Sequence, residues 1–458
     1  MSHPPQRFLR LLPTDDPGAL QIFLRSWPRV QSLPWSRAVM TTQLAAVVSG
    51  PASFLDDPVL GELAHYLLDQ DLYALRESSE PPWPNFAGSD STLREARRLP
   101  IAVHGAILPG EQVGYGLPVG AVLATRAAVI PAAVGRDIGC RAHLSVFRPN
   151  SFRFTDAADF RRLRQVSGSV THFGLESKIG LRREHPILDD GRWRSSALLK
   201  GLLDVAALHL GSSGTGNHFV DVGVVATIEG EPPSPAVLSH SGSRGVGQRV
   251  AQHYHALARR AHPRLPKELA QWAWLSLESE DGHAYWQAME LCCDYSLACH
   301  QVLHQALARE LEWEPEWSLS APHNFAALES WRGQEVVVHR KGAVRVRPCE
   351  RSLICGSMTE PTAVVVGKDE DRALSSASHG LGRKLARSLA RGAYQGRQVQ
   401  EDLVEAGVVR AGGGMDEWPG VYGKTSEALE AHAELVAPVG FFQSRLVRMC
   451  AANDPSED

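Results

Sequence analysis

Excess positive charge is missing from this chain. Its 47 Lys and Arg face 51 Asp and Glu, a formal net charge of -4 at pH 7, so no global basic field advertises nucleic-acid binding and any polyanion site must be local. Cysteine is sparse and unpatterned. The seven residues Cys140, Cys292, Cys293, Cys299, Cys349, Cys355 and Cys450 form no CxxC pair and, being odd in number, no disulfide framework, which fits a reducing compartment. Long apolar runs are absent too. The start, "MSHPPQRFLRLLPTDDPGAL", carries prolines and acids where a signal peptide needs an apolar core, and no later stretch approaches a membrane span, so the expectation is a soluble, cytoplasmic protein. No repeat of 20 to 50 residues and no GxGxxG opening a helix is found, which excludes a solenoid and a dinucleotide-binding fingerprint.

What is there reads as an ordinary globular chain of 458 residues, 43% hydrophobic and 21% charged, with ample material for a core. The first hundred residues are Pro-rich and mixed, with "SSEPPWPNFAGSD" (78–90) as a linker or surface loop. From 101 onward short apolar runs alternate with glycines, as in "VGYGLPVGAVLATRAAVIPAAVG", which predicts strands joined by tight turns. Apolar residues every three to four positions predict helices at 192–210, 245–260, across "HAYWQAMELCCDYSLACHQVLHQALARELEW" and at 380–394. Strands are expected at "AVLSH", "EVVVHR" and "TAVVVG". The irregular alternation favours an α+β domain.

The stretch "VGRDIGCRAHLSVF" (134–147) sets Asp137 and Cys140 three positions apart between glycines. Gly135 and Gly139 permit the sharp turns that would let both side chains meet one cation, although a buried free Cys beside a turn Asp is the commoner outcome. Four of the 19 histidines sit in short polar, Gly/Ser/Asn-rich contexts: His218 in "GTGNHFVD", His240 in "LSHSGSRG", His323 in "APHNFA" and His379 in "SASHGLGR". Imidazole, carboxylate and thiolate together make a ligand set for zinc, manganese or iron, and a thiolate can bridge two ions.

Phosphate sites are suggested as well. In "SHGLGRKLARSLARG", Leu381, Leu385 and Leu389 share one helical face and Arg383, Arg387 and Arg391 the opposite one. A helix starting at His379 and Gly380 would favour an anion and a neutral imidazole, the nucleophilic form; the plainer reading is a solvated Arg-rich helix capped by Ser376 or Ser378. "HSGSRGVGQRV" repeats the design with Arg244 in the turn, and "VVHRKGAVRV" sets Arg340 and Lys341 just after a strand.

Read in order, "VGRDIGC", "GTGNHF", "HSGSRG", "HNFA", "HRKGA", "GSM" and "SHGLGR" resemble the signature of the RtcB-type RNA ligases over roughly residues 100 to 445. The resemblance implies a large single α+β catalytic domain with a binuclear metal cleft at 96–450, an N-terminal extension or accessory segment at 1–95 and a polar tail at 451–458. It implies two Mn²⁺ ions held by Asp137, Cys140, His218, His240 and His323, with Cys140 bridging, and GTP as the second cofactor. His379 matches the nucleophile that takes GMP from GTP. Asn217, Arg244, Arg340, Lys341, Ser357 and Arg383 match positions near nucleotide or RNA phosphates. The implied partners are RNA with a 3′-phosphate or 2′,3′-cyclic phosphate end and RNA with a 5′-hydroxyl end, plus the activator protein that some members use.

The chain also departs from the family pattern. Where members carry "PDxHxGxG", this chain reads "PGEQVGYG", with Gly110 for the acid and Gln112 for the histidine. At the C-terminal "PxGVxK", "PVGFFQ" puts Gln443 in place of a nucleotide-contacting lysine. "DIGCG" has become "DIGCR" and "PGSMG" reads "CGSMT". Three readings therefore stand side by side: an active GTP- and manganese-dependent ligase, a divergent metal-dependent end-processing or end-capping enzyme, and a non-catalytic RNA-binding paralogue.

Overall fold

The computed structural model describes residues 4–12, 16–69, 82–89, 93–174, 183–263, 265–368, 370–385, 389–390 and 396–450. Its helices up to the long one before the last sheet strands are α1 (Gln6–Leu9), α2 (Pro17–Ser32), α3 (Arg37–Ser49), α4 (Gly61–Asp69), α5 (Arg94–Arg98), α6 (Pro131–Val134), α7 (Ala157–Val170), α8 (Ala197–His209), α9 (Arg244–Ala261) and α10 (Glu280–Leu311). The strands are β1 (Ala102–Gln112), β2 (Val119–Thr125), β3 (Ala128–Val129), β4 (Arg141–Phe147), β5 (Phe219–Thr227), β6 (Ser234–Ser241), β7 (Leu275–Ser276), β8 (Pro315–Pro322), β9 (Asn324–Trp331), β10 (Gln334–Lys341), β11 (Ala343–Arg345), β12 (Arg351–Ile354), β13 (Thr362–Gly367), β14 (Ser376–Ser378), β15 (Val409–Ala411) and β16 (Val436–Met449).

Two sheets stack on a shared core. The larger runs β12-β13-β16-β5-β6-β4-β8, with β15 added to β16; the smaller runs β1-β2-β10-β9. The end strands β12 and β8 of the larger sheet lie against each other, so it is nearly closed. Ala106, Val122, Val338, Leu144, Leu238 and Phe442 fill the space between the sheets. Their strand neighbours point the other way: Ala121, Leu123 and Val337 pack beneath α8, α9 and α10, and Val220, Val222, Val237 and Leu446 beneath α7 and the C-terminal part of α10. Because both faces are covered, strands such as "VVVH" read as continuous apolar runs rather than alternating ones.

Ser279 starts α10 by accepting the Gly282 N–H at 3.1 Å, and Glu312, at φ 59°, ends it in the left-handed region. The N-terminal residues build a separate apolar cluster from Phe8, Phe23, Trp27, Leu44, Val47, Leu63 and Leu67. Asp16 caps α2 through the Ala19 N–H at 2.8 Å and accepts the Tyr66 hydroxyl at 3.0 Å. The described part of the expected linker, 82–89, pairs with β1: Phe86 N–H donates to Ile107 O at 2.8 Å and Ile107 N–H to Pro84 O at 3.0 Å.

The helix expected at 380–394 is not formed over 380–385, whereas 389–390 are helical. Residues 376–378 form β14, paired with β11 through Ala343 and Ser378, and 380–385 are bridges and turns. The N–H groups of His379 and Leu381 donate to Gly342 O at 3.1 Å and Cys355 O at 3.2 Å, so they are already used and cannot hold an anion as a helix N-terminus would. Residues 386–388 and 391–395, with Arg387 and Arg391, lie outside the described residues. Arg340 and Lys341 likewise sit inside β10, not after it.

Candidate metal and nucleophile centre

The site forms at one end of the larger sheet, where β4 and β5 begin and β6 and β8 finish. Pairing fixes it. Arg141 stands opposite Ser241 and Pro322, while Phe219 stands opposite His240, so Cys140, His218, His240 and His323 are each at or one step from a paired residue. His323 N–H also donates to Cys140 O at 2.9 Å.

The turn before β4 brings in the acid. Gly139 has φ 76°, and a side chain there would put its Cβ 2.8 Å from Cys293 Cα on α10, so this position demands glycine. Gly139 N–H donates to Asn324 O at 2.8 Å, and Asn324 Nδ2 returns a bond to Asp137 O at 3.1 Å. Gly242 leaves the space that the Asp137 carboxylate fills.

Two donor groups result, Asp137–Cys140–His218 and Cys140–His240–His323, each with ligand atoms within 4.8 Å of one another. Cys140 Sγ lies 3.7 Å from His218 Nε2 and 3.4 Å from His240 Nε2. His218 Nε2 is 3.2 Å from Asp137 Oδ2, and His240 Nε2 is 3.1 Å from His323 Nε2. Backbone carbonyls set two of the rings: His240 Nδ1 faces Asn217 O at 3.2 Å and His323 Nδ1 faces Ala321 O at 3.3 Å. Each Nδ1 is thus the donor, and the Nε2 lone pairs converge, the orientation a metal ligand requires. One thiol shared by two groups, one adding a carboxylate and an imidazole and the other two imidazoles, is a donor set that fits two first-row divalent cations.

Protonation states agree with that chemistry. Burial, reinforced by His218 and His379, pulls His240 down to about 3, and burial takes His323 well below its ordinary value. Burial pushes the Asp137 carboxyl up, but the His218 bond and charge outweigh it and the net shift is downward. Neutral imidazoles at His240 and His323 beside an ionised Asp137 are ligand-competent forms.

His379 stands at the same centre. Its ring centroid is 4.4 Å from that of His323, and its Nδ1 donates to Gly342 O at 2.8 Å. Burial lowers its pKa, partly opposed by that bond, so Nε2 keeps its lone pair. The neutral imidazole expected from a helix N-terminus is thus produced by burial instead.

All six residues line a cleft of about 310 Å³. Asn217, Lys341, Ser357 and Arg383 line it as well. Lys341 Nζ donates to Tyr115 O at 2.7 Å, and burial, then the Arg136 charge, lowers it to about 8. Arg383 is held by Glu417 at 3.3 Å and Tyr422 OH at 3.0 Å.

Three expected phosphate or nucleotide residues are not among the cleft-lining residues. Arg244 is buried and donates to Ser212 Oγ at 3.1 Å and Gly174 O at 2.9 Å. Arg340 is fully buried, pairing with Glu329 Oε1 at 2.5 Å and donating to Ser376 Oγ at 2.9 Å and Leu374 O at 3.0 Å. Gln443 sits inside β16 opposite Val224, and it is Val447 and Met449 of that strand that reach the cleft.

Other lining residues escaped the sequence reading. Asp221 in β5 lines the cleft; burial raises its carboxyl to about 8 against the opposing bond from Ser444, whose Oγ donates at 2.7 Å. An acid inside the apolar run "FVDVGVV" was the available signal. Glu417 and Tyr422 also line it but stand in a segment with no catalytic texture.

Similarity to known proteins bears on the same residues. The chain matches the family described as "tRNA-splicing ligase RtcB" over residues 92–178 and 156–448. The tRNA-splicing ligase RtcB of Thermococcus kodakarensis is 27% identical over 410 residues, 73% of this chain and 85% of that protein. The RNA-splicing ligase RtcB of Escherichia coli K12 is 26% identical over 389 residues, 77% and 92%. The tRNA-splicing ligase RtcB of Nanoarchaeum equitans is 27% identical over 423 residues, 76% and 88%. Among the described residues no helix is long and apolar enough to cross a membrane.

Proposed function

We propose, from the premise that this chain belongs to the RtcB family, that it joins RNA 3′-phosphate or 2′,3′-cyclic phosphate ends to 5′-hydroxyl ends through a guanylyl-histidine. The observation that carries this reading is the position of His379: a neutral, buried imidazole held through Nδ1 beside two donor groups that share Cys140. A purely structural metal site has no use for a sixth, oriented side chain in the same cleft.

When bound, two manganese ions held by Asp137, Cys140 and His218 and by Cys140, His240 and His323 supply Lewis-acid neutralisation of phosphate charge. His379 Nε2 attacks the α-phosphorus of GTP; the new N–P bond forms as the bond to pyrophosphate breaks. The Gly342 carbonyl accepts the Nδ1 proton's hydrogen bond and favours the positive charge that develops on the ring. A 2′,3′-cyclic end is first opened by water, which breaks the bond from phosphorus to O2′ and leaves a 3′-phosphate; an oxygen of that 3′-phosphate takes the guanylyl group from His379, and a 5′-hydroxyl, giving up its proton, displaces GMP to close the phosphodiester. Lys341 and Arg383, both lining the cleft, are the cations placed to meet phosphate oxygens.

The test is guanylylation of purified, manganese-loaded protein with labelled GTP. An acid-labile adduct mapped to His379 and lost in His379→Ala is the expected result. Absence of the adduct in protein shown to hold metal would overturn the ligase reading and favour a metal-dependent end-processing enzyme. That second reading rests on Gly110, which packs against the Gly382 backbone at φ 74° where a Cβ would come within 3.3 Å; no carboxylate from this position reaches His379.

A further inference from the structure

Outside the catalytic cleft, a second cleft of about 340 Å³ lies between α7 and the β15–β16 edge, lined by Arg161, Arg164, Gln165, Ala411, Leu446 and Arg448. The helical residues are spaced i, i+3, i+4, so they share one outward face of α7. Arg161 and Arg164 are exposed, whereas Arg448 is half-buried, and its Nε–H is buried with no hydrogen-bond partner. Gly168 of α7 packs beside it: a Cβ there would lie 3.6 Å from the Arg448 guanidinium, an ordinary contact.

Little of this cleft's charge is spent on the fold: Arg161 Nε donates to Ala157 O at 3.1 Å, and its charge is the smallest of the causes that lower the Asp156 carboxyl. The nearby acids of α7 serve its N-terminus and the preceding loop: Asp156 accepts the N–H groups of Ala158 at 2.8 Å and Asp159 at 3.0 Å, and Asp159 accepts Arg153 N–H at 2.7 Å. Arg162, on another face, pairs with Glu312 at 3.4 Å. Among the described residues Arg161, Arg164 and Arg448 form no ion pair with a carboxylate. Burial lowers the Arg448 pKa and no neighbouring charge offsets it. Three guanidiniums lining one cleft, none of them paired with a carboxylate, make a site for phosphate oxygens.

Its position says which phosphates. Along β16, Val447 and Met449 line the catalytic cleft, while Leu446 and Arg448 line this one. The two sites are opposite faces of one strand, at the stretch that β5 flanks on one side and only the short β15 on the other. We propose that the α7–β16 cleft holds the phosphodiester backbone of the RNA strand whose end occupies the catalytic cleft. This rests on the RNA-ligase reading above and adds to it a docking site away from the reacting ends.

The test uses the full chain with Arg161→Glu and Arg164→Glu combined, both on an exposed face, and separately Arg448→Met. Binding of fluorescent single-stranded RNA bearing a 3′-phosphate is followed by anisotropy, with one oligonucleotide of roughly 20 nucleotides and one of roughly 3, bracketing the span of a single-strand groove. Both variants should bind the long RNA about 10-fold or more weakly at about 0.1 M salt, with the slope of log K against log salt reduced by about 0.7 for each phosphate that is no longer neutralised. Affinity for the short RNA and guanylylation by GTP should stay at the wild-type level. Unchanged long-RNA affinity and salt slope would overturn the proposal while leaving the ligase reading intact. Inorganic phosphate binding that the variants lose, without any dependence on RNA length, would make this a free-anion site and also overturn it. A wild-type protein that binds neither RNA would fail earlier, at the RNA-ligase reading itself.

Discussion

His379 Nδ1 lies 2.8 Å from the carbonyl oxygen of Gly342, and Gly342 itself sits at φ 61° immediately before β11. A Cβ at that position would collide with Val119 and approach His379 Nδ1 to 3.3 Å. Gly342→Ala is therefore expected to displace the carbonyl and lower the single-turnover rate of His379 guanylylation by about 10- to 100-fold, the scale of losing an orienting partner, with little change in metal content. Rapid-quench measurement of adduct formation, alongside metal analysis, checks this. A full-rate variant would mean that the ring is oriented by packing alone.

Cys140 belongs to both donor groups, whereas Asp137 and His323 each belong to one. Cys140→Ala should consequently reduce manganese bound per chain from two toward zero, while Asp137→Asn and His323→Ala should each spare the other group. Metal content after gel filtration, read by elemental analysis, separates these outcomes. Equal retention in all three variants would remove the sulfur from the centre.

Arg340 and Arg244 mark where sequence reasoning about phosphates stops. A motif reveals that a cation is present but not which way its side chain turns, and Arg340 is turned away from the cleft toward Glu329. Arg340→Met leaves Glu329 as a buried carboxylate short of its main partner, so it should cost about 3–5 kcal/mol of stability in urea unfolding. Labelled GTP should still react with the folded fraction at close to the wild-type rate. Loss of adduct formation with stability intact would restore Arg340 to the nucleotide site.

His218, His240 and His323 announce themselves because each sits beside a small polar residue near a strand end, whereas Asp137 and Cys140 gain weight only alongside them. The helices 192–210, 245–260 and α10 follow from their apolar spacing. At 380–385 the same periodicity misleads: tertiary pairing of β14 with β11 and the Cys355–Gly380 bridge hold the chain there regardless of helical propensity, and helix is found at 389–390. Asp221 stays hidden because its partner Ser444 is 223 residues away. The N-terminal cluster around Trp27 and Leu63 is spread over short helices whose prolines mask the pattern.

Gln443 illustrates the limit of reading by analogy. It lies in β16 away from the cleft, and its backbone packs against Gly223. Gln443→Lys should therefore leave GTP affinity within about 2-fold of wild type, less than the roughly 1.4 kcal/mol that would mark a tenfold effect. Calorimetric titration of both proteins with GTP decides it, and a clear tightening would place this position at the nucleotide after all.

Buried histidines outside the centre set the acid limit of the fold. His339 uses both ring nitrogens, Nδ1 donating to Leu123 O at 3.0 Å and Nε2 accepting Ile130 N–H at 2.9 Å, so protonation must break the second bond. Burial brings His339, His262 and His143 each down to about 4. The unfolded chain, with ordinary histidines near about 6.5, binds more protons than the folded one between those values, so stability rises with pH in that window. The contribution is complete above about pH 6.5 and is lost as pH falls toward 4, with a slope near pH 5 of about 4 kcal/mol per pH unit from three such groups. Urea unfolding across about pH 4.5 to 7 measures the slope, to which the other buried histidines such as His209 also add, and His339→Gln, which can keep a donor and an acceptor, should reduce it by about 1.4 kcal/mol per pH unit. A flat profile would mean that these rings take up protons without opening the sheet.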